Sequence, residues 1–209
     1  MICIVNLGVG NFGSMLNMLK RFGAKSHVSS NLDDIYSADK LILPGVGAFD
    51  SAMRVINESS GLRDALEQQA LVKKVPVLGV CLGMQLLTRC SEEGIEKGLG
   101  WVPAQTSRFP KETDLKVPHM GWNIAQPVFY NELITSDMKE PRYYFVHSYY
   151  VKVDKPNYSL MRTTYGHSFD SAICNGNIYG VQFHPEKSHR YGMQILRNFA
   201  ELKCPSEFV

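Results

Sequence analysis

The sequence predicts an α/β fold, in which a mostly parallel sheet is flanked by helices and carries an added antiparallel β portion. Three observations lead to this prediction. In the first half of the chain short apolar runs alternate with helical patterns, an order typical of parallel sheets with right-handed crossovers. The run at residues 75–80 is apolar throughout, as in a strand buried on both faces. After Leu87 short alternating segments predominate, which favours antiparallel strands.

The elements of the first half follow in order. Ile2–Val5 predicts the first strand, and residues 24–29 and Lys40–Leu43 predict the next two. Helical patterns at residues 50–57 and 62–73 lead into the strand at 75–80. The helix after the first strand is predicted from apolar residues at spacings of three and four, namely Phe12, Met15, Leu16, Leu19 and Phe22.

The second half is predicted to be mostly strands. Asn175-Gly176 stands between two apolar runs and predicts a tight hairpin. A last helix packs Met193, Leu196 and Phe199. Neither a repeat nor a linker is evident, so we predict a single domain over residues 1–209. The predicted strands are residues 105–109, 143–146, 160–164, 171–174 and 178–183.

Composition excludes several classes of function. The net charge of +2 is too small to indicate nucleic acid or an anionic membrane as the main partner. Pro76, Gly79 and Gly83 interrupt the longest apolar run, so no membrane span is expected. The first strand begins without a signal peptide before it, and the five cysteines are scattered, so no disulfide framework is implied. These features predict a cytoplasmic protein.

The strongest chemical motif is Gly79-x-Cys81-x-Gly83, which follows the strand at residues 75–80 and precedes a helical segment. It is a nucleophile elbow with sulfur in place of the usual serine oxygen. The glycines remove side chains that would collide in so sharp a turn. A thiol at a helix N-terminus is favoured as thiolate. The alternative is a tight turn with a buried structural cysteine.

A base for this thiol is expected at the end of the strand at residues 178–183. His184 and Glu186 are two residues apart, so an extended chain places them on one face. His184 could take the proton from Cys81 while Glu186 orients the imidazole. The loop at residues 44–47 contains two glycines at another strand end, where backbone N–H groups are free to face a ligand.

A second glycine-rich segment, Gly8-x-Gly10-x-x-Gly13, matches a dinucleotide fingerprint. The ribose-binding acid expected at the end of the second strand is absent there, since Asp33 and Asp34 come late. A nucleotide-binding module is therefore an alternative, beside a glycine-rich turn. No cofactor is predicted, and no histidine–cysteine cluster has metal-ligand spacing.

Several motifs together resemble the class I (triad) glutamine amidotransferases, and the likeness covers essentially the whole chain. It rests on the segments at residues 79–85, 44–47 and 182–186. The segments at residues 118–123, 144–149 and 184–188 narrow the resemblance to the glutaminase subunits of imidazole glycerol phosphate synthases. The resemblance implies the flavodoxin-like fold of that family.

The resemblance also implies roles for individual residues. Cys81 would attack the side-chain amide of glutamine to give a thioester and ammonia, with His184 and Glu186 completing the triad. The N–H of Leu82 and one from Val46 or Gly47 would form the oxyanion hole. For Glu93 the alternative is a solvated loop acid. The implied substrate-binding residues are Gly45, Gln85, Glu93, Ser148 and Tyr149.

The family resemblance implies a partner as well. Ammonia would pass to a (β/α)8-barrel cyclase subunit in a heterodimer, which makes imidazole glycerol phosphate. The matching contact positions are Asn11, Trp122, Tyr144 and Lys187, although Trp122 could instead be a half-buried core residue. Two alternatives keep the thiol chemistry: a relative that supplies ammonia for amidation of a surface-polysaccharide sugar, and a stand-alone cysteine hydrolase.

Overall fold

The computed structural model describes residues 1–8, 10, 12–110, 115–138 and 140–203. The strands are β1 (Ile2–Val5), β2 (Ser26–Ser29), β3 (Lys40–Leu43), β4 (Val77–Val80), β5 (Ala104–Arg108), β6 (His119–Ile124), β7 (Gln126–Pro127), β8 (Arg142–His147), β9 (Tyr149–Val153), β10 (Ser159–Tyr165), β11 (His167–Asn175) and β12 (Ile178–Val181). The α-helices are α1 (Phe12–Arg21), α2 (Leu32–Tyr36), α3 (Phe49–Glu58), α4 (Leu62–Glu67), α5 (Leu82–Leu86) and α6 (His189–Glu201).

The main sheet confirms the predicted fold class. Its order is β2-β1-β3-β4-β12-β11-β10-β7, and β2 to β12 in that order are parallel. Strands β11, β10 and β7 continue it antiparallel, and β9 and β5 extend from β11. Strands β6 and β8 pair separately as a two-stranded antiparallel sheet. The parallel half carries the helices, and the antiparallel half is the predicted addition.

Two apolar cores lie on opposite faces of the sheet. Alternation along β1 sends Cys3 and Val5 into one core and Ile2 and Ile4 into the other. Residues of α3 and α4 fill the first core, and residues of α1 and α6 fill the second. The parallel strands are therefore buried on both faces, as their continuous apolar runs indicate.

The structure differs from the predicted elements in three places. The predicted helix at residues 62–73 is α-helical only to Glu67 and continues as a π-helical turn, Gln68–Val72. The hairpin turn is Gly176-Asn177, one residue later than predicted, because Asn175 pairs with Ile178. Strands β6, β7 and β9 and helix α2 were not predicted.

The topology brings three strand ends together. Strand β4 lies between β3 and β12, and all three run in the same direction. The glycine loop at residues 44–47 follows β3, Cys81 follows β4, and His184 comes shortly after β12. This is the edge where parallel α/β sheets bind ligands. No helix among the described residues is long and apolar enough to cross a membrane.

Candidate active site

Cys81 occupies a sharp turn between β4 and α5. Its backbone has φ 54° and ψ −107°, a conformation that residues other than glycine rarely adopt. Its N–H donates to the carbonyl of Val181 at 2.8 Å, which ties the turn to β12. Helix α5 has only five residues, so the thiol faces a few free N–H groups rather than a long helix dipole.

The two flanking glycines are required by close packing. A Cβ atom at Gly79 would lie 2.5 Å from the carbonyl oxygen of Gly83, and one at Gly83 would overlap the carbonyl oxygen of Leu43. Strand β4, helix α5 and the end of β3 thus approach more closely than any side chain allows. The elbow predicted from the sequence is present in this form.

His184 and Glu186 form a buried pair beside the elbow. Nδ1 of His184 lies 2.8 Å from Oε1 of Glu186, and the two side chains are 2% and 5% exposed. The backbone N–H of His184 donates to the carbonyl of Tyr144 at 2.9 Å. Nε2 is buried with no well-aligned hydrogen-bond partner among the described residues. Because Glu186 engages Nδ1, Nε2 is the ring nitrogen that is left for the Cys81 thiol.

The imidazole of His184 is strongly perturbed by these neighbours. Burial lowers the pKa of His184, but hydrogen bonding and charge interaction with Cys81 and Glu186 outweigh burial and raise the pKa to about 10. The imidazolium form is therefore stabilised between a sulfur and a carboxylate. This is the electrostatic arrangement that a cysteine nucleophile and its base require.

The glycine loop after β3 lies against the elbow. A Cβ atom on Gly45 would be 2.7 Å from Cβ of Leu82, so Gly45 packs beneath the cleft and is not among its lining residues in the described structure. Val46 and Gly47 do line the cleft, and Gly47 has φ +119°. The N–H of Leu82 is the first of helix α5 and has no intrahelical acceptor. These are the groups predicted to hold an oxyanion.

A cleft of about 340 Å³ opens over Cys81. Glu93 reaches into it from the segment after α5, and its carboxylate accepts the N–H of Phe49 at 3.1 Å. Burial, opposed by this hydrogen bond, raises the pKa of Glu93. Glu93 is thus a positioned carboxylate rather than a solvated loop acid. The cleft is lined by Val46, Gly47, Cys81, Leu82, Gln85, Glu93, Pro118, Val146, His147, Ser148 and Tyr149.

The side-chain amide of Gln85, which lines the cleft, is fixed by two hydrogen bonds. Nε2 of Gln85 donates to the carbonyl of Tyr149 at 3.2 Å and to Oε1 of Gln182 at 3.3 Å. Both amide hydrogens of Gln85 are thus used within the protein, which leaves its oxygen for a ligand. The carbonyl of Ser148 likewise accepts the N–H of Phe109 at 3.3 Å.

Two buried histidines support the Tyr149 carbonyl. Nδ1 of His147 lies 2.7 Å from that oxygen, and Nε2 of His147 lies 3.0 Å from Nδ1 of His119. Nε2 of His119 is 3.2 Å from Nδ2 of Asn123. Because a carbonyl only accepts, each ring must donate through Nδ1 and accept through Nε2, and Asn123 donates at the start. The chain of donors fixes both tautomers.

Both histidines are held neutral. Burial lowers the pKa of His119 to about 4, and burial is also the main reason that the pKa of His147 falls to about 3. His119 is stacked between Phe145 and Tyr165, with ring centroids 4.8 and 4.0 Å away. Neither ring can take a proton without breaking the hydrogen bond that its Nε2 accepts.

Acid is expected to destabilise the protein through these two histidines. In the unfolded chain they bind protons near pH 6.5, whereas in the folded chain they bind them only near pH 4 and 3. The unfolded state therefore holds more protons between these limits. The free energy of unfolding should fall as the pH falls, by up to about 1.4 kcal/mol per pH unit for each histidine. Urea unfolding at several pH values measures this slope.

The His119→Gln/His147→Gln double variant is the control, because glutamine can donate and accept but does not titrate here. Its acid slope should be shallower than that of the parent chain. His184 does not mask the effect, since a raised pKa removes stability only above pH 6.5. Identical slopes in the two proteins would contradict the assignment.

Three of the four predicted interface residues lie together on one face. Trp122 is 48% exposed and packs edge-on against Tyr144 at 6.2 Å, and Nζ of Lys187 lies 5.9 Å from the Tyr144 ring centroid. His189 stacks on Trp122 with a centroid distance of 5.4 Å. We use the name Trp122 face for the set Trp122, Tyr144, Lys187 and His189. Asn11 lies outside the described residues.

Gln182 is a site residue that the sequence analysis missed. It is fully buried and touches the Cys81 sulfur. Gln182 directly follows β12 and stands two residues before His184, and this position was the available signal. The extended chain predicted from His184 to Glu186 is not observed, because Pro185–Lys187 forms a 3₁₀-helical turn. Within the described part of the chain, no group of three or more histidine, cysteine, aspartate or glutamate residues could hold a metal ion.

Comparisons with known proteins cover nearly the whole chain. The model of the glutamine amidotransferase class-I family matches residues 3–202. The chain is 50% identical over 202 residues to imidazole glycerol phosphate synthase subunit HisH 2 of Pseudomonas aeruginosa, covering 97% of this chain and 100% of that relative. It is 46% identical over 205 residues to subunit HisH of Bdellovibrio bacteriovorus, with coverages of 97% and 100%.

The solved structures extend the comparison to the fold. A crystal structure of a glutamine amidotransferase superposes with a TM-score of 0.75 at 16% identity, covering 96% of this chain and 99% of that one. At this identity the likeness concerns the fold alone.

Proposed function

The chain belongs to the class-I glutamine amidotransferase family, and we propose that it releases ammonia from glutamine as the glutaminase subunit of an imidazole glycerol phosphate synthase. The observation that carries the proposal is that Cys81 lines a cleft at the end of β4, while the buried His184–Glu186 pair follows the neighbouring strand β12. The names of the relatives at 50% and 46% identity point to the same enzyme.

In the proposed reaction Nε2 of His184 holds the proton of the Cys81 thiol, because the raised pKa of His184 favours the imidazolium form, and the sulfur attacks the side-chain amide carbon of glutamine. The oxygen of the tetrahedral intermediate accepts N–H groups from Leu82 and from Val46 or Gly47. His184 then protonates the departing nitrogen, so ammonia leaves and a γ-glutamyl thioester remains. His184 next takes a proton from water, and the water oxygen attacks the thioester carbon. The carbon–sulfur bond breaks, which releases glutamate and returns the Cys81 sulfur to its starting state.

Binding of the α-amino end of the substrate is assigned to acceptors that line the same cleft as Cys81. The Glu93 carboxylate and the free oxygen of Gln85 face the cleft, and both are acceptors suited to the α-ammonium group of glutamine. Ser148 and Tyr149 line the same cleft. This arrangement would hold the side-chain amide near Cys81.

The partner is proposed to be a (β/α)8-barrel cyclase subunit that docks on the Trp122 face. An exposed tryptophan beside a tyrosine and a lysine is the kind of anchor that carries much of an interface's binding energy. The Trp122 face also adjoins the catalytic pair, because Oγ of Ser188 accepts the N–H of Tyr144 at 2.9 Å and donates to the carbonyl of His184 at 2.6 Å.

Glutaminase assays with and without the cyclase test the function. The isolated chain is expected to turn over glutamine about 10²–10³ times more slowly than the complex with the cyclase ligand bound, as when one oxyanion donor is missing. The glycines at positions 45 and 47 permit the peptide rotation that would aim or withdraw that donor.

Full activity of the isolated chain would instead favour a stand-alone hydrolase. Activation by a cyclase-like protein whose other substrate is a sugar would favour the surface-polysaccharide alternative. Thiol-independent binding of dinucleotides would favour the nucleotide-binding module.

A further inference from the structure

Gln182 connects the catalytic sulfur to the floor of the cleft. Its Nε2 lies 3.7 Å from Sγ of Cys81, and its Oε1 accepts Nε2 of Gln85 at 3.3 Å. Its backbone N–H donates to the carbonyl of Ser171 at 2.9 Å, which holds it to β11. The side chain is thus fully buried between two residues of the elbow segment.

The orientation of the Gln182 amide is determined by its neighbours. The carbonyl of Tyr149 only accepts hydrogen bonds, so the Gln85 atom facing it must be the amino group. That amino group also faces Gln182, which must therefore present its oxygen to it. The amino group of Gln182 is left facing Cys81. The reversed orientation would oppose two amino groups and place an oxygen against the sulfur.

The hydrogen-bond series continues beyond the Tyr149 carbonyl. The Tyr149 carbonyl also accepts Nδ1–H of His147, and His147 is held in that tautomer by His119 and Asn123. An ordered series of donors and acceptors therefore runs from β6, next to Trp122, to the Cys81 sulfur.

We propose that Gln182 is a further catalytic residue, which donates an N–H to the Cys81 sulfur and stabilises its thiolate form. This rests on the proposed function, in which Cys81 is the nucleophile. When the proton passes from Sγ to Nε2 of His184, the electron pair stays on sulfur, and the Gln182 N–H points at the charge that forms. Hydrogen bonds to ionised groups are about twice as strong as neutral ones.

The other titratable groups around the sulfur are two histidines and two carboxylates. His184 and Glu186 follow β12 on the same segment as Gln182, Glu93 lines the cleft from the segment after α5, and His147 stands at the end of β8. All four remain in the Gln182 variants, so a shift of the Cys81 curve that a matched control lacks is assigned to the lost N–H.

The test is the pH dependence of Cys81 alkylation by iodoacetamide in the full chain, read for each cysteine by mass spectrometry of its peptide. Gln182→Met keeps the length of the side chain but has no donor. The midpoint of the Cys81 curve should rise by about one pH unit, which is about a tenfold slower reaction below the midpoint. Exposed Cys90 serves as the internal reference, and its curve should not move.

Gln69→Met is the matched control. Gln69 is also fully buried and donates Nε2 to the carbonyl of Ile35 at 2.7 Å, but it lies in the core outside the cleft. Its loss should destabilise the fold and leave the Cys81 curve unchanged. Gln182→Glu keeps the shape of the side chain but places a carboxylate against the sulfur, so it should raise the midpoint of the Cys81 curve further. This variant tests the proposal if Gln182→Met does not fold.

Unchanged Cys81 curves in the Gln182 variants would overturn this inference while leaving the proposed function in place. The proposed function would fail separately, if the parent chain in its complex showed no glutaminase activity and its Cys81 reacted no faster than Cys90 at neutral pH.

Discussion

Replacing Cys81 by serine is expected to abolish glutamine hydrolysis, by about 10⁴-fold or more, while the fold survives. Serine is nearly isosteric with cysteine, so the packing of the elbow against β12 is kept. Its hydroxyl is much harder to deprotonate than a thiol, so His184 no longer faces an ionisable nucleophile. Release of glutamate and ammonia by the complex measures the loss, and circular dichroism and thermal unfolding monitor the fold.

The matched control is Cys90→Ser. Cys90 is exposed and outside the cleft, so this variant removes a thiol without touching the site, and its activity should equal that of the parent chain. Substantial turnover by Cys81→Ser would remove Cys81 from the mechanism.

Gly83→Ala is expected to destabilise the protein by about 3 kcal/mol or more. The added methyl group would overlap the carbonyl oxygen of Leu43, and backbone atoms cannot move aside as a side chain can. Either β3 separates from the elbow or helix α5 shifts, and both displace Cys81. Chemical denaturation measures the loss of stability, and glutaminase activity should fall with it.

Gly13→Ala provides the comparison within the same chain. Gly13 also lies in a helix, but nothing is within 4 Å of the position its Cβ would take. Alanine there should be neutral or stabilising by up to about 1 kcal/mol, because it restricts the unfolded chain and favours helix. Equal stability of the Gly83→Ala and parent proteins would mean that the close approach to Leu43 is not a constraint.

The parallel half of the fold could be predicted because each of its strands is a short apolar run that is visible in the local sequence. Residues 75–80 are apolar on both faces, and Gly79 and Gly83 mark the turn that follows. Strand β6 could not be predicted in the same way. Among the described strands it pairs only with β8, and its side chains are mostly half-buried or exposed, so it shows no apolar alternation. The π-helical turn Gln68–Val72 extends a helix whose sequence shows no break.

The reactive groups of the candidate site could be predicted from the sequence, but the residues that hold them in place could not. The spacing of His184 and Glu186 and the elbow around Cys81 indicated groups that the fold brings to one edge. Gln182 and His147 contact residues that are distant in sequence and that only the tertiary structure brings near them. Gln182 meets Cys81 because β12 lies beside β4 with Val181 opposite Val80, and sequence alone does not give that register. The roles of all these residues stay predictions until the variants are measured.

The left-handed backbone at Cys81 also bears on how the chain can evolve. A side chain held at φ 54° carries strain of order 1–3 kcal/mol that glycine would relieve. At this position, selection for stability and selection for activity therefore act in opposite directions. A descendant that no longer needed the thiol would relieve this strain by mutating to glycine here, and would lose the core contacts of the buried sulfur. Other small apolar side chains could supply those contacts, so retention of a cysteine in a lineage indicates continued use of the nucleophile.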